Sequence, residues 1–315
     1  MRRWSLLNLL TLLLSLPAGA DAPRADVPGP DVLKVGVSVS DLGNRYFQRI
    51  GRAIDREARL QAGDAVRVEV VSSAYDVARQ IGQVDRFIVQ GVDLILLSAA
   101  TYDGVTPAIL RAKQAGIPVI GFDVQAAGLD AAVTTDNRQA GRIACDDLAR
   151  RLNGQGQVVI LNGPPVSSIL ARVEGCLEEL NKHPALQLLS TTENGGGSVE
   201  GGFEKMTHLL TAYPDLDGVF TINDPTALGA ERAARLAGRS SFIITSVDGS
   251  PAATARIAEP DSLLVSTASQ LPDLVARLAV RLGLRLLDGE ALEKKTWLIA
   301  PELIDATSLQ SQDQN

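Results

Sequence analysis

The side chains able to do covalent or metal chemistry are few and widely spaced. His183 and His208 are the only histidines, and Cys145 and Cys176 the only cysteines. A zinc site needs three or four such ligands at close spacing, so metal chemistry has no carrier and no cofactor is expected. A serine or cysteine hydrolase needs a base beside its nucleophile. Yet no Gly-x-Ser-x-Gly elbow occurs, and neither histidine falls at the end of a predicted strand. The run from Asn194 to Gly202 is rich in glycine but ends Gly201-Gly202-Phe203, where a phosphate loop requires Gly-Lys-Ser/Thr. It reads as a flexible loop at a lobe edge. Gly36, Gly43 and Gly51 are too scattered for a dinucleotide fingerprint. No catalytic residue is expected, and the chain does not read as an enzyme.

Amides, carboxylates, one guanidinium and two rings remain, and their meaning depends on the elements that hold them. From Leu33 onward, short β-branched runs alternate with longer stretches of helical period, the pattern of βαβ units and parallel sheets covered on both faces. Strands are predicted at 33–39, 66–71, 94–97, 119–122 and 131–134, then at 158–161, 187–189, 219–221, 242–245, 263–266 and 297–299. Helical stretches fill the intervals, one of them opened by Asp224 as N-cap before Pro225. That is more than one Rossmann-sized unit. The fold class is α/β, with two doubly wound, Rossmann-like lobes.

Ligands of open parallel sheets sit beyond the carboxyl ends of the strands. Ser40, Asn44, Tyr46 and Phe47 follow the first predicted strand and Asp123 the fourth, while Arg172 lies past the loop after 158–161. Asn223, Asp248 and Gln270 follow later strands. Planar carboxylate, amide and guanidinium groups can meet neighbouring hydroxyls in pairs, and rings pack the C–H faces of a sugar. Each residue also has an ordinary reading: Asp248-Gly249 as a turn, Asp123 as a cap, Tyr46 and Phe47 as core. Their shared place at strand ends favours a site for a polyhydroxylated ligand.

The 315 residues carry 30 basic against 37 acidic side chains, 45% apolar and only 4% aromatic residues, which disfavours nucleic acid as a partner. The N-terminus reads Met1, Arg2, Arg3, an apolar run from Trp4 to Leu16, then Pro17 and the small residues Ala18, Gly19 and Ala20. This is a secretory signal over 1–20, too short to span a bilayer, and the mature chain is not expected in the membrane. Export would put Cys145 and Cys176 in an oxidising space, where they form a disulfide or remain two buried thiols.

Across residues 33–305 the sequence resembles periplasmic sugar-binding proteins of the ribose-binding type. The likeness is carried by Lys34-Val35-Gly36-Val37-Ser38-Val39-Ser40 with Asn44 and Tyr46-Phe47, by Gly116-Ile117-Pro118-Val119-Ile120 running into Asp123, and by Thr135-Asp136-Asn137. Arg172-Val173-Glu174-Gly175, Phe220-Thr221-Ile222-Asn223-Asp224 with Ala227-Leu228-Gly229-Ala230, Val247-Asp248-Gly249 and Gln270-Leu271-Pro272 continue it. The resemblance implies a type I periplasmic-binding fold with a three-strand hinge. The chain would cross between lobes near Asp136, Gln270 and Trp297. The lobes would be 31–136 with 271–297, and 137–270 with 298–315. It also implies a pocket of Ser40, Asn44, Tyr46, Phe47 and Asp123 in the first lobe, of Arg172, Asn223 and Asp248 in the second, and Gln270 at a crossover. A monomer in the periplasm would hand a neutral sugar or polyol to the permease of an ABC importer, or present its closed form to a chemoreceptor or sensor kinase. A secreted carbohydrate-acting enzyme and a regulator of the lactose-repressor family are rivals, the latter opposed by the export signal and the acidic balance.

Two departures stand out. Val124 replaces the arginine that ribose binders carry after the first aspartate, and the aromatic of the second lobe falls in the run Gly195 to Gly197. With Asp123 and Asp248 against Arg172 alone, an anionic ligand is disfavoured and a neutral or cationic polyol fits better.

Overall fold

The computed structural model describes residues 32–312; the signal at 1–20, the first residue of the lobe 31–136 and residues 313–315 lie outside the described residues. Along the chain come β1 (Leu33–Val39), α1 (Arg45–Ala62), β2 (Val66–Ser72), α2 (Val77–Gln90), β3 (Leu94–Leu97), α3 (Thr106–Gln114), β4 (Val119–Phe122) and β5 (Ala131–Thr135). Next follow α4 (Asn137–Arg151), β6 (Gln155–Leu161), α5 (Ser167–Leu180), β7 (Ala185–Ser190), α6 (Val199–Ala212), β8 (Gly218–Thr221) and α7 (Asp224–Leu236). The chain continues through β9 (Ile243–Asp248), α8 (Pro251–Ile257), β10 (Leu264–Ser269), α9 (Pro272–Leu287), β11 (Thr296–Ile299), β12 (Leu303–Asp305) and α10 (Ala306–Gln312).

These strands form two six-stranded sheets, ordered β11-β5-β4-β3-β1-β2 and β12-β10-β9-β8-β6-β7. Each builds one α/β lobe, called here the N-lobe and C-lobe. Strands covered on both faces must be apolar throughout, and β3, Leu94-Ile95-Leu96-Leu97, is wholly inaccessible to solvent. Each such side chain contributes about 1.5–3 kcal/mol on burial. One face of the N-lobe sheet packs Val35, Val37 and Ile120 against Ile50 and Ile54 of α1 and Val275 and Ala279 of α9. The corresponding C-lobe face sets Val159, Leu161 and Val219 against Met206 of α6 and Ala230 of α7.

The chain leaves the N-lobe sheet after Thr135, returns after β10, and leaves again between Ile299 and Leu303. The third passage falls just beyond Trp297, because β11 stays paired with β5 as far as Ile299↔Thr135. Sequence patterning missed β12 and α10. A three-residue strand carries too little alternation to read, and β12 pairs antiparallel with β10, an exception to the all-parallel expectation.

The helices α4 and α5 meet at backbone distance. A Cβ on Gly141 would lie 1.9 Å from the Arg172 carbonyl oxygen, and one on Gly175 would lie 1.9 Å from that of Arg138. Only glycine permits this approach. One turn further along both helices, Cys145 and Cys176 are joined by a disulfide with Cα atoms 5.1 Å apart. Closing a loop of this size stabilises a fold by about 3–4 kcal/mol in the chain-entropy view. The bridge thereby fixes the helix that carries Arg172.

Candidate functional site

The strand ends of both sheets face one cavity. From the N-lobe it is lined by Asn44, Tyr46, Phe47, Asp123 and Val124, and from the C-lobe by Arg172, Asn223 and Asp248, with Gln270 from the segment that returns to the N-lobe. The room inside for the centre of a water molecule is about 30 Å³. Eight of the nine residues expected from sequence therefore converge; Ser40 does not. Its hydroxyl is buried 2.9 Å from that of Ser98, and its carbonyl accepts the backbone N–H of Tyr75. Ser40 stands behind the wall and holds Tyr75 in it.

Sequence reasoning missed Tyr75, Val166, Ser168 and Ile169, which also line the cavity. Tyr75 comes three residues after the end of β2 and was open to the same strand-end rule. The other three begin α5, one turn before Arg172, so the helical period alone could have placed Ser168 and Ile169 on the face of Arg172.

Several of these residues are held by helix starts. Asn44 caps α1, accepting from the Tyr46 N–H at 2.9 Å, and leaves its amide nitrogen free of protein partners. Asn223, not Asp224, caps α7: its Oδ1 accepts from the N–H and hydroxyl of Thr226, and its Nδ2 donates to the Gly197 carbonyl at 3.0 Å. Asp224 takes the first helical position. It is buried and accepts from the hydroxyls of Ser246 and Thr267 and the N–H of Ser250. That arrangement braces β9 behind Asp248.

Arg172 is the centre of a ring of hydrogen bonds that crosses between the lobes. Its Nε donates to Asn137 Oδ1 at 2.8 Å and its Nη1 to the Ile222 carbonyl at 2.7 Å, with Asp248 Oδ1 at 3.4 Å. Gln270 Nε2 donates to that same Asp248 oxygen at 2.7 Å. The Thr135 hydroxyl donates to Gln270 Oε1 at 3.1 Å, and Asn137 Nδ2 donates to the Thr135 carbonyl at 2.9 Å, closing the ring. Asn137 also donates to the Thr134 hydroxyl, which in turn donates to the Asp123 carbonyl at 2.7 Å. Two inter-lobe passages, the Asp248 carboxylate and the Asp123 backbone are thus tied to one guanidinium.

Backbone strain marks the same place. Of the five non-glycine residues with positive φ among the described residues, Tyr75 (+59°), Asp123 (+61°) and Asp248 (+141°) line the cavity. Such conformations cost about 1–3 kcal/mol each and persist where the surroundings impose them. Burial also shifts the acids. It pushes Asp123 up to about 6, with Arg172 and the neighbouring Tyr46 hydroxyl pulling the other way. It pushes Asp248 up to about 7 against Arg172, with Asp224 adding to the rise. The Tyr46 phenol is held well above its ordinary value by burial, then by Asp123 and Asp248.

A family model described as a periplasmic binding protein domain matches residues 35–291. The chain belongs to that family. It is 30% identical over 289 residues to the ribose import binding protein of Salmonella typhimurium, covering 91% of this chain and 95% of that one. The xylitol-binding protein of Mycolicibacterium smegmatis is 30% identical over 256 residues, 79% of this chain and 71% of the other. An ABC transporter periplasmic solute-binding protein from Actinobacillus succinogenes, solved with bound D-allose, superposes with a TM-score of 0.81 at 25% identity, covering 88% and 99% of the two chains.

In this periplasmic binding protein one of the two departures seen in the sequence lines the cavity, and the other, the glycine run, bears on it through the Gly197 carbonyl that holds Asn223. Val124 lines it with an apolar side chain. The glycine run is a turn that continues into a helix: Gly196 and Gly197 are left-handed (φ +63° and +70°) and lead into the Ser198 N-cap of α6. A Cβ on Gly202 would lie 2.3 Å from the Thr226 carbonyl oxygen, so α6 and α7 need glycine to pack. In place of an aromatic, Val166 and Ile169 supply the C-lobe's apolar contact, opposite a third ring, Tyr75.

Proposed function

We propose that the cleft captures a small sugar or polyol, of pentose, hexose or tetritol size, and that closure of the two lobes around it is the signal read by the permease of an ABC importer. The observation that carries this reading is the convergence of Asn44, Tyr46, Asp123, Arg172, Asn223, Asp248 and Gln270 on one cavity between two sheets. Free acceptors on Asp123 and Asp248 face free donors on Asn44 and Arg172, and a hydroxyl both donates and accepts. The three rings and two aliphatic side chains suit the C–H faces of such a ligand. Neither histidine lines the cavity, so a binding role without catalysis is the reading we adopt.

The lobes in this reading are 31–136 with 271–297, extended to Ile299 by the pairing of β11, and 137–270 with the chain that follows, moving about the three passages. Ligand favours the closed form only through its differential affinity for it. The protein acts as a monomer in the periplasm, exported by the signal at 1–20. The deciding experiment is a thermal-shift panel of pentoses, hexoses, tetritols and inositols on the purified protein, since a ligand bound only by the folded form raises its melting temperature. At least one member is expected to do so in a concentration-dependent way. No shift with any of them at millimolar concentration would sink the proposal.

A further inference from the structure

The two walls of the cavity differ in charge as well as in wiring. Asp123 is 5% exposed, and the group set against its carboxylate is a neutral one, the buried Tyr46 hydroxyl. The next residue, Val124, offers no counter-charge. Across the cavity Asp248, 8% exposed, spends one oxygen on Gln270 and Arg172 and keeps the other free. Among the described residues Arg172 is the only cation lining the space, and it already donates to Asn137, Ile222 and Asp248.

A buried carboxylate without a counter-charge of its own is costly, and it is relieved by protonation or by a cation. A ligand made only of hydroxyls supplies hydrogen bonds but no charge. An ammonium group supplies three donors, no acceptor and the missing positive charge. It would sit where acceptors outnumber donors, against Asp123 and the free oxygen of Asp248. We propose that the ligand of this cleft is a polyol bearing a protonated amine, and that Asp123 is the residue that binds the amine. This rests on the polyol-binding reading above and narrows it. Burial raises Asp123 and Asp248, to about 6 and about 7, in spite of Arg172, so either carboxylate gains from a further cation.

The test is titration calorimetry at pH 7.5 with matched pairs: 2-amino-2-deoxy-D-ribose against D-ribose, 1-amino-1-deoxyribitol against ribitol, and D-glucosamine against D-glucose. In at least one pair the amine is expected to bind at least about tenfold more tightly, the equivalent of one charge-assisted contact. That preference should fall below about twofold in Asp123→Asn, an isosteric change that removes the charge. In the unmodified protein it should also shrink as the pH is lowered through 6, where Asp123 takes up a proton. The groups facing Asp123 during that titration are Tyr46, Tyr75, Arg172 and Asp248. Hydroxyl members binding as tightly as the amines in every pair would overturn the inference and leave the polyol reading standing. Failure of every member of every pair would defeat both.

Discussion

On the C-lobe side of the cavity, Arg172 and Asp248 are held by Asn137, Ile222 and Gln270, and Asn223 is held by Thr226 and Gly197 with one amide N–H to spare. On the N-lobe side, the Asp123 carboxylate and the Tyr46 hydroxyl are set against each other, and the Asn44 amide nitrogen has no protein partner among the described residues. The contrast teaches that one wall is preorganised while the other has polar atoms to satisfy. Preorganised groups bind with little reorganisation cost, whereas buried polar atoms gain most from finding a partner. In this account the C-lobe sets orientation, and the N-lobe wall supplies the differential affinity that favours closure.

The comparison breaks most severely if Arg172 is removed. Arg172→Ala deletes the only cation of the cavity and leaves Asp248 buried beside Asp224. Loss of one partner of a buried pair costs about 3–5 kcal/mol. Calorimetry with the best ligand of the panel should show affinity reduced by at least about 100-fold, and urea unfolding should show a destabilised protein. Wild-type affinity in this variant would mean that the wired wall is not the orienting one.

A smaller effect sharpens the contrast from the other side. Burial raises Asp123 from 3.8 to about 6, so the folded state binds its proton more tightly than the unfolded state does. The stability this gives is full below about pH 4 and is lost as the pH rises through 6. Asp123→Asn carries no such penalty. Its stability relative to wild type should therefore climb between pH 4 and 7 and level off above that, by up to about 3 kcal/mol. Denaturant melts at a series of pH values would show it. A flat difference would mean that Asp123 is not a strained buried acid.

Much of this site could be read before any coordinates. The strand-end rule found Asp123, Asn223, Asp248 and Gln270 because a parallel sheet gives all its carboxyl ends to one side, and that is a property of local pattern. Tyr75 escaped because its place depends on a left-handed backbone and on the Ser40 carbonyl, a contact between residues 35 positions apart. Asn137 was seen only as part of a motif; its role depends on α4 and α5 meeting through Gly141 and Gly175, which no local pattern encodes. Ser40 was over-read, since its strand-end position is the same as that of a wall residue while its side chain turns inward to Ser98. The glycine run reads as a loop in composition, whereas in the structure its last two glycines lie in α6, where they serve helix packing.

The central claim is that residues of both lobes act on one ligand in one cavity. Titration of the wild type and of Asp248→Asn with the same ligand tests it most directly, because Asp248 belongs to the wired wall yet keeps one oxygen free for the cavity. The account predicts one site per chain in the wild type and at least about tenfold weaker binding in the variant, with the ligand-free variant still unfolding cooperatively in urea. Equal affinity of the two proteins, or binding at more than one site per chain, would contradict it.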